Sequence, residues 1–182
     1  MTHEQKENLA NACVSFPAKK MHELLALALQ ALEKANKANS YIKPDMGFYH
    51  KYDKDTDQHL SCLGGLAYIE ALALPMEDPK FRRTYNRDSL CRVISEEAGL
   101  TFVKVYETLL IVERTADHLR SGNVGTAMLW WYGCSTPSAK AVALTNKYVL
   151  QKGLSVAFYH VNPISLTQTW HELLADLKEA DL

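Results

Sequence analysis

One cysteine of the chain stands where a nucleophile could work. Cys62 opens a run of small and apolar residues, Cys62 to Leu74, that is predicted to form a helix. Exposed amides and the dipole at a helix N-terminus lower the pKa of a thiol there and can hold an oxyanion. His50 and His59 precede Cys62, and either could serve as its base. Cysteine is also among the most buried residue types. We therefore assign no catalytic residue and keep these three as candidates.

Aromatic, histidine and arginine side chains are concentrated on both sides of that run. Arginine supplies fork-shaped donors that suit a phosphate, and tyrosine supplies a face on which a nucleobase can stack. The sequence therefore predicts a binding site for a phosphate-bearing, nucleotide-like small molecule or for a partner protein. The residues assigned to this site are Tyr49, His50, Tyr52, Arg82, Arg83 and Tyr85.

An acidic run resembles the start of a calcium-binding loop. Asp53, Asp55 and Asp57 match its first three ligand positions. The sixth position is Gln58 instead of glycine, and the twelfth is Gly64 instead of a bidentate glutamate. The chain also contains neither a Walker loop nor a GxGxxG, GxSxG or kinase signature. We therefore expect no metal site and no cofactor.

Composition limits the classes of partner and the compartment. The 20 basic and 21 acidic residues are interspersed and give a net charge of −1, so nonspecific binding to nucleic acid or to an anionic membrane is not expected. Neither a signal peptide nor a run long enough to span a bilayer is visible, which predicts a cytoplasmic protein. The four dispersed cysteines then predict reduced thiols instead of disulfides.

The elements that would position these residues are mainly helices. Apolar residues recur at steps of three and four, with glycine or proline at several segment ends. We predict one globular domain over 1–182, mainly α, compact and multi-helical, with at most a minor β element near 154–161. A loosely ordered N-terminal segment is expected at 1–14 and a long connection without regular structure at 39–60. The helices are predicted at 18–38, 62–74, 86–98, 101–121, 123–133, 137–152 and from 165 onward.

Two glycines stand near the start of the central helix. Gly64 and Gly65 each cost roughly 1 kcal/mol relative to alanine in a helix interior. Close approach of another backbone is the simplest compensation. The sequence therefore predicts that this helix is buried against a neighbouring element.

Three segments carry a resemblance to a known group of proteins. They are Cys62-Leu63-Gly64-Gly65-Leu66-Ala67, the stretch from Thr115 to Val124, and the amphipathic tail from Trp170 to Leu182. Together they resemble uncharacterised small bacteriophage and prophage proteins that carry a Cys-Leu-Ala-Gly-type helix. The resemblance implies a phage accessory protein, in a class that includes antagonists of host defence. It implies no catalytic residue.

These observations favour a non-enzymatic binding protein. The resemblance places it in the host cytoplasm, where it would capture a host protein or a nucleotide-like small molecule. A second hypothesis is a cysteine-dependent hydrolase or transferase that uses Cys62 with His50 or His59. A third is a structural helical subunit of an assembly, in which the chain would form a homo-oligomer.

Overall fold

The computed structural model describes residues 1–16, 20–38, 40–45, 48, 50–107, 139–151 and 167–182. Residues 102–107 are helical, and a π-helical segment, Asn146–Gln151, directly follows the fifth helix. The labelled helices are α1 (His3–Val14), α2 (Met21–Ala35), α3 (Leu63–Ala71), α4 (Arg87–Ala98), α5 (Ala139–Thr145) and α6 (Thr167–Glu179). The strands are β1 (Ile42–Pro44), β2 (Lys51–Asp53) and β3 (Gln58–Ser61). The prediction of a mainly α fold with a minor β element is confirmed.

The N-terminal segment is a helix, where the sequence analysis expected loose order at 1–14. The Thr2 side chain accepts a hydrogen bond from the Gln5 N–H, and the Gln5 side chain accepts one from the Thr2 N–H. This reciprocal cap satisfies two amides that a helix start otherwise leaves unpaired. Leu9 and Cys13 are buried, and α1 packs against α4. That expectation is wrong because two apolar side chains and a cap are enough to dock a mostly polar helix.

The central helix predicted from Cys62 onward is confirmed as the buried α3. Its first six residues, from Leu63 to Tyr68, are all buried, and the helix packs against the apolar face of α2. Cys62 is the N-cap, and Ala73, with φ +46°, takes a left-handed conformation just beyond the helix. On α6, Trp170, Leu173 and Leu177 are buried, and this helix also packs against α2. Thus α2 is the common neighbour of α3 and α6 within one apolar core.

The segment that connects α2 to α3 in the sequence forms a three-stranded sheet, where we expected a connection without regular structure. Its order is β1-β3-β2, with β1 parallel and β2 antiparallel to β3. The acidic run forms the β2–β3 turn, in which the Asp53 carboxylate accepts a hydrogen bond from the Asp55 N–H at 3.0 Å and Asp57 has φ +53°. The expectation is wrong because strands of three or four residues are too short to show alternation.

The remaining sequence predictions divide into tested and untested ones. A helix over 137–152 is confirmed by α5 and the π-helical segment, and a helix over 86–98 by α4, which ends at the left-handed Gly99. The proposed strand at 154–161, the helix at 123–133 and most of the helix after Thr101 lie outside the described residues.

Candidate functional site

The sheet brings a buried histidine beneath two tyrosines. His59 on β3 pairs with Ile42 on one side and with Tyr52 on the other. Its side chain is 2 % exposed, and its ring centroid lies 5.0 Å from that of Tyr52 and 6.0 Å from that of Tyr41. The histidine in the middle strand is thus contacted by Tyr52 from β2 and, edge-on, by Tyr41, which directly precedes β1.

A second buried histidine extends this cluster. His50 precedes β2, and its ring centroid lies 5.2 Å from that of His59 and 5.9 Å from that of Tyr85, which stacks on it. The Tyr85 N–H donates to the His50 carbonyl at 3.0 Å. The His50 Nε2–H donates to the Phe81 carbonyl at 2.9 Å. The segment before α4 is therefore attached to the sheet through His50.

Both histidines are neutral at pH 7. Burial lowers the pKa of His50, and burial together with repulsion from His50 lowers the pKa of His59 to about 4. A backbone hydrogen bond with Met76 opposes the shift of His59. Its Nδ1 is buried and has no hydrogen-bond partner among the described residues. A buried acceptor left without a donor costs about 1–3 kcal/mol.

A pocket of about 210 Å³ opens above this histidine, and we call it the His59 pocket. His59 and Met76, both buried, form its floor. Its rim is formed by Tyr41, whose residue surface is 48 % exposed, and by the side chains of Asp57, Glu77 and Arg82. The rim therefore carries more negative than positive charge, since it has two carboxylates and one guanidinium group.

The Arg82 side chain is held at the rim by two contacts. Its guanidinium carbon lies 5.6 Å from the Tyr52 ring centroid, and its Nη1 lies 3.7 Å from the Asp57 carboxylate. The Tyr52 hydroxyl donates a hydrogen bond to the same carboxylate. On the other side, burial and the Glu77 charge raise the pKa of the Tyr41 phenol, which keeps it neutral. The pocket thus has a cationic corner between two anionic ones.

Four of the six residues predicted to bind a ligand are brought together here. His50, Tyr52 and Tyr85 belong to the aromatic cluster beside the pocket, and Arg82 is the one of the described predicted residues that lines the pocket itself. Arg83 is exposed and belongs to neither, and Tyr49 lies outside the described residues. Sequence reasoning missed Tyr41, Asp57, Met76 and Glu77 as site residues. Tyr41 and Asp57 belong to the aromatic and acidic segment already noted, so their types were a usable signal.

Cys62 is placed as a structural cap. Its residue surface is 1 % exposed, and its sulfur accepts a hydrogen bond from the Gly65 N–H at 3.5 Å. The Cys62 N–H donates to the Phe48 carbonyl at 2.6 Å. Cys13, Cys62 and Cys91 are buried and not disulfide-bonded. A thiolate must reach its substrate to act as a nucleophile, and this burial prevents access.

We therefore expect Cys62 to resist alkylation in the folded protein. After treatment with iodoacetamide at pH 7.5, mass spectrometry of the peptide that contains Cys62 should show labelling only if the protein was unfolded by denaturant. Cys13, which is equally buried and whose pKa burial raises to about 11, is the internal control. Labelling of native Cys62 much faster than of native Cys13 would contradict the structural assignment and favour the hydrolase or transferase hypothesis.

Among the described residues, no group of three histidine, cysteine, aspartate or glutamate side chains could hold a metal ion. Nor does that part of the chain contain a helix both long and apolar enough to cross a membrane.

Comparison of the chain with protein-family models, with curated proteins and with solved structures found no match.

Proposed function

We propose that the protein is a non-enzymatic binding protein that captures a nucleotide-like small molecule by placing its nucleobase in the His59 pocket. One observation carries the proposal. The buried, neutral His59 has an Nδ1 without a hydrogen-bond partner in the described part of the chain, and it lies on the floor of a pocket whose rim combines an aromatic ring, two carboxylates and one guanidinium group. A ligand that brings N–H donors on a flat ring would match those groups.

Guanine has the required distribution of donors and acceptors. Its O6 and N7 are the acceptors that an arginine fork recognises, and its N1–H and N2–H₂ are donors suited to carboxylates. Arg82 therefore corresponds to the O6 edge, and Asp57 or Glu77 to the N–H edge. The exposed Tyr41 ring offers a stacking face, which contributes about 1–3 kcal/mol per base in other proteins. A small rotation of the His59 ring would give Nδ1 a donor as well.

The phosphate belongs outside this pocket. Asp57 and Glu77 would repel a dianion, and the guanidinium group of Arg82 is already near the Asp57 carboxylate. This changes the hypothesis drawn from the sequence, in which Arg82 and Arg83 together received a phosphate. The base is now the recognised part, and the negative charge of the ligand points away from the acidic rim.

The setting of this activity is also proposed. The resemblance to phage accessory proteins supports a role in host cytoplasm, where capture of a nucleotide signal would antagonise a defence response. The alternative of capturing a host protein has no specific contact in its support. The proposed activity requires only that the bound molecule be withheld from solution.

Isothermal titration calorimetry with guanosine, adenosine, cytidine and uridine tests whether the His59 pocket binds a nucleobase. We expect guanosine to bind best. Arg82→Ala and Tyr41→Ala should each weaken that binding roughly 10- to 100-fold, since each removes a contact worth about 1–3 kcal/mol. Arg92→Ala is the matched control, because this exposed arginine lies over Phe102, away from the pocket. It should leave the affinity unchanged.

Two results would contradict the proposal. The first is that none of the four nucleosides binds. The second is that Arg92→Ala weakens binding as much as Arg82→Ala, which would indicate a nonspecific charge effect. Circular dichroism of each variant would establish that the fold is retained before affinities are compared.

A further inference from the structure

A second, larger cavity adjoins the His59 pocket. Its volume is about 680 Å³, and it lies between α1, the end of α2, β1 and α3. Tyr41 and Glu77 line both cavities, so they form the wall between them. Ligand pockets for drug-sized molecules measure about 300–1,000 Å³, which includes the larger cavity but not the His59 pocket alone.

The two cavities differ in chemistry. The larger one has an apolar floor to which Ile42, Leu66 and Ile69 contribute. Its rim carries Asn8 and the exposed side chains of Lys34 and Lys37. Lys34 forms an ion pair with Glu70. An apolar floor with a few polar groups at the edge is typical of a site for a flat or apolar part of a ligand. The two lysines balance Glu70 and Glu77, which line the same cavity, so this cavity lacks the excess of negative charge found at the rim of the His59 pocket.

An extended peptide is a poor occupant of this cavity. An extended peptide could bind by pairing with the outer edge of β1. At that edge the Ile42 N–H and carbonyl point away from β3. The Ser40 hydroxyl already accepts from that N–H at 3.2 Å and donates to that carbonyl at 2.9 Å. With both edge groups satisfied locally, addition of a strand gains no main-chain hydrogen bond there.

We infer that the ligand has two parts, with a nucleobase in the His59 pocket and a second ring system in the larger cavity. This inference rests on the proposed function and goes beyond it by assigning the chemical class of the ligand. A backbone that joins the two parts would pass Tyr41. A phosphodiester in that backbone would then lie on the Lys37 side of the wall, because the Asp57 and Glu77 carboxylates repel it. The class of ligand is a dinucleotide.

Guanosine and the linear dinucleotide GpG are the probes that test this inference. GpG should bind at least about tenfold more tightly than guanosine, because its second base removes apolar surface from water. Ile69→Trp fills the larger cavity, so it should reduce GpG to within about twofold of guanosine and leave guanosine unchanged. Lys37→Glu should weaken GpG severalfold and leave guanosine, which carries no phosphate, unchanged.

The outcomes separate the two proposals. If guanosine binds and GpG binds no more tightly, or if the GpG advantage persists in Ile69→Trp, the two-part ligand is rejected and the base pocket stands. If neither probe binds, the proposed function is rejected and the inference is rejected with it. Lys37 is exposed, so Lys37→Glu keeps the test valid should Ile69→Trp fail to fold.

Discussion

Acidification from pH 7 to pH 4 is expected to lower the free energy of unfolding by about 3 kcal/mol through His59 alone. In the folded chain burial and the neighbouring His50 lower the pKa of His59 to about 4, from the 6.5 of a free histidine side chain. Between these two values the unfolded chain binds a proton that the folded chain excludes. The stabilisation is therefore complete above pH 6.5 and is lost as the pH falls to 4. The lowered pKa of His50 acts in the same direction.

Urea denaturation at pH 7, 6, 5 and 4 measures this effect. His59→Gln cannot titrate, so the slope of its stability against pH should be shallower than that of the wild type over this window. His3→Gln is the control, because this histidine is exposed on α1 and pairs only with the exposed Glu7. Its slope should equal that of the wild type. Parallel slopes for His59→Gln and the wild type would show that His59 is not buried and neutral.

The neutral state of His59 links this prediction to the proposed function. Only a neutral imidazole retains the Nδ1 lone pair that accepts a hydrogen bond from a base. The burial that lowers the pKa of His59 therefore also keeps the acceptor available at pH 7. The cost of the unpartnered atom is recovered only when a donor arrives, which favours a bound state over an empty pocket.

The helices were predictable because their signals are local. On α2, leucines and alanines recur at three- and four-residue steps, which follow directly from helix geometry. The end of α4 at Gly99 follows from the tolerance of glycine for a left-handed conformation, here with φ +63°. The N-cap of α4 is Asn86, whose side chain accepts a hydrogen bond from the Ser89 N–H.

The sheet was not predictable because the pairing of β1 with β3 leaves no local signal and the strands are short. β1 and β3 are adjacent and parallel in the sheet, but β2 lies between them in the sequence, so no turn connects them directly. Each strand has only three or four residues, the positions of β1 and β2 are half-buried, and the buried residues of β3 are the polar His59 and Ser61, so the sequence shows no apolar face. The histidine and tyrosine contacts depend on this register, in which Tyr52 lies opposite His59.

The candidate site was therefore predictable in residue type but not in shape. His50, Tyr52 and Arg82 were singled out as aromatic or basic residues suited to a ligand. Glu77 carried no such signal, since an acid beside Asp78 in a proline-containing loop is ordinarily solvated. Its position on the wall shared by both cavities depends on how the segment after α3 folds back toward Tyr41. That arrangement reversed the expected charge of the site.

Gly65→Leu is expected to destabilise the protein by about 1–3 kcal/mol or more, because it inserts a large side chain where α3 is buried. Gly65 is buried in the first turns of α3, and this helix packs against α2. Replacing glycine with leucine should by itself favour the helix by up to about 1 kcal/mol. A net loss of stability would therefore indicate overpacking and not a change in helix propensity.

Urea denaturation at pH 7 distinguishes these effects when Ala71→Leu is the matched control. Ala71 is half-buried at the end of the same helix, so leucine there should change the free energy of unfolding by less than about 1 kcal/mol. An unchanged or increased stability of Gly65→Leu would mean that no close neighbour requires glycine at this position. The sheet and the His59 pocket would then be supported by α3 through its cap at Cys62 and its larger apolar side chains, and not by close approach of its backbone.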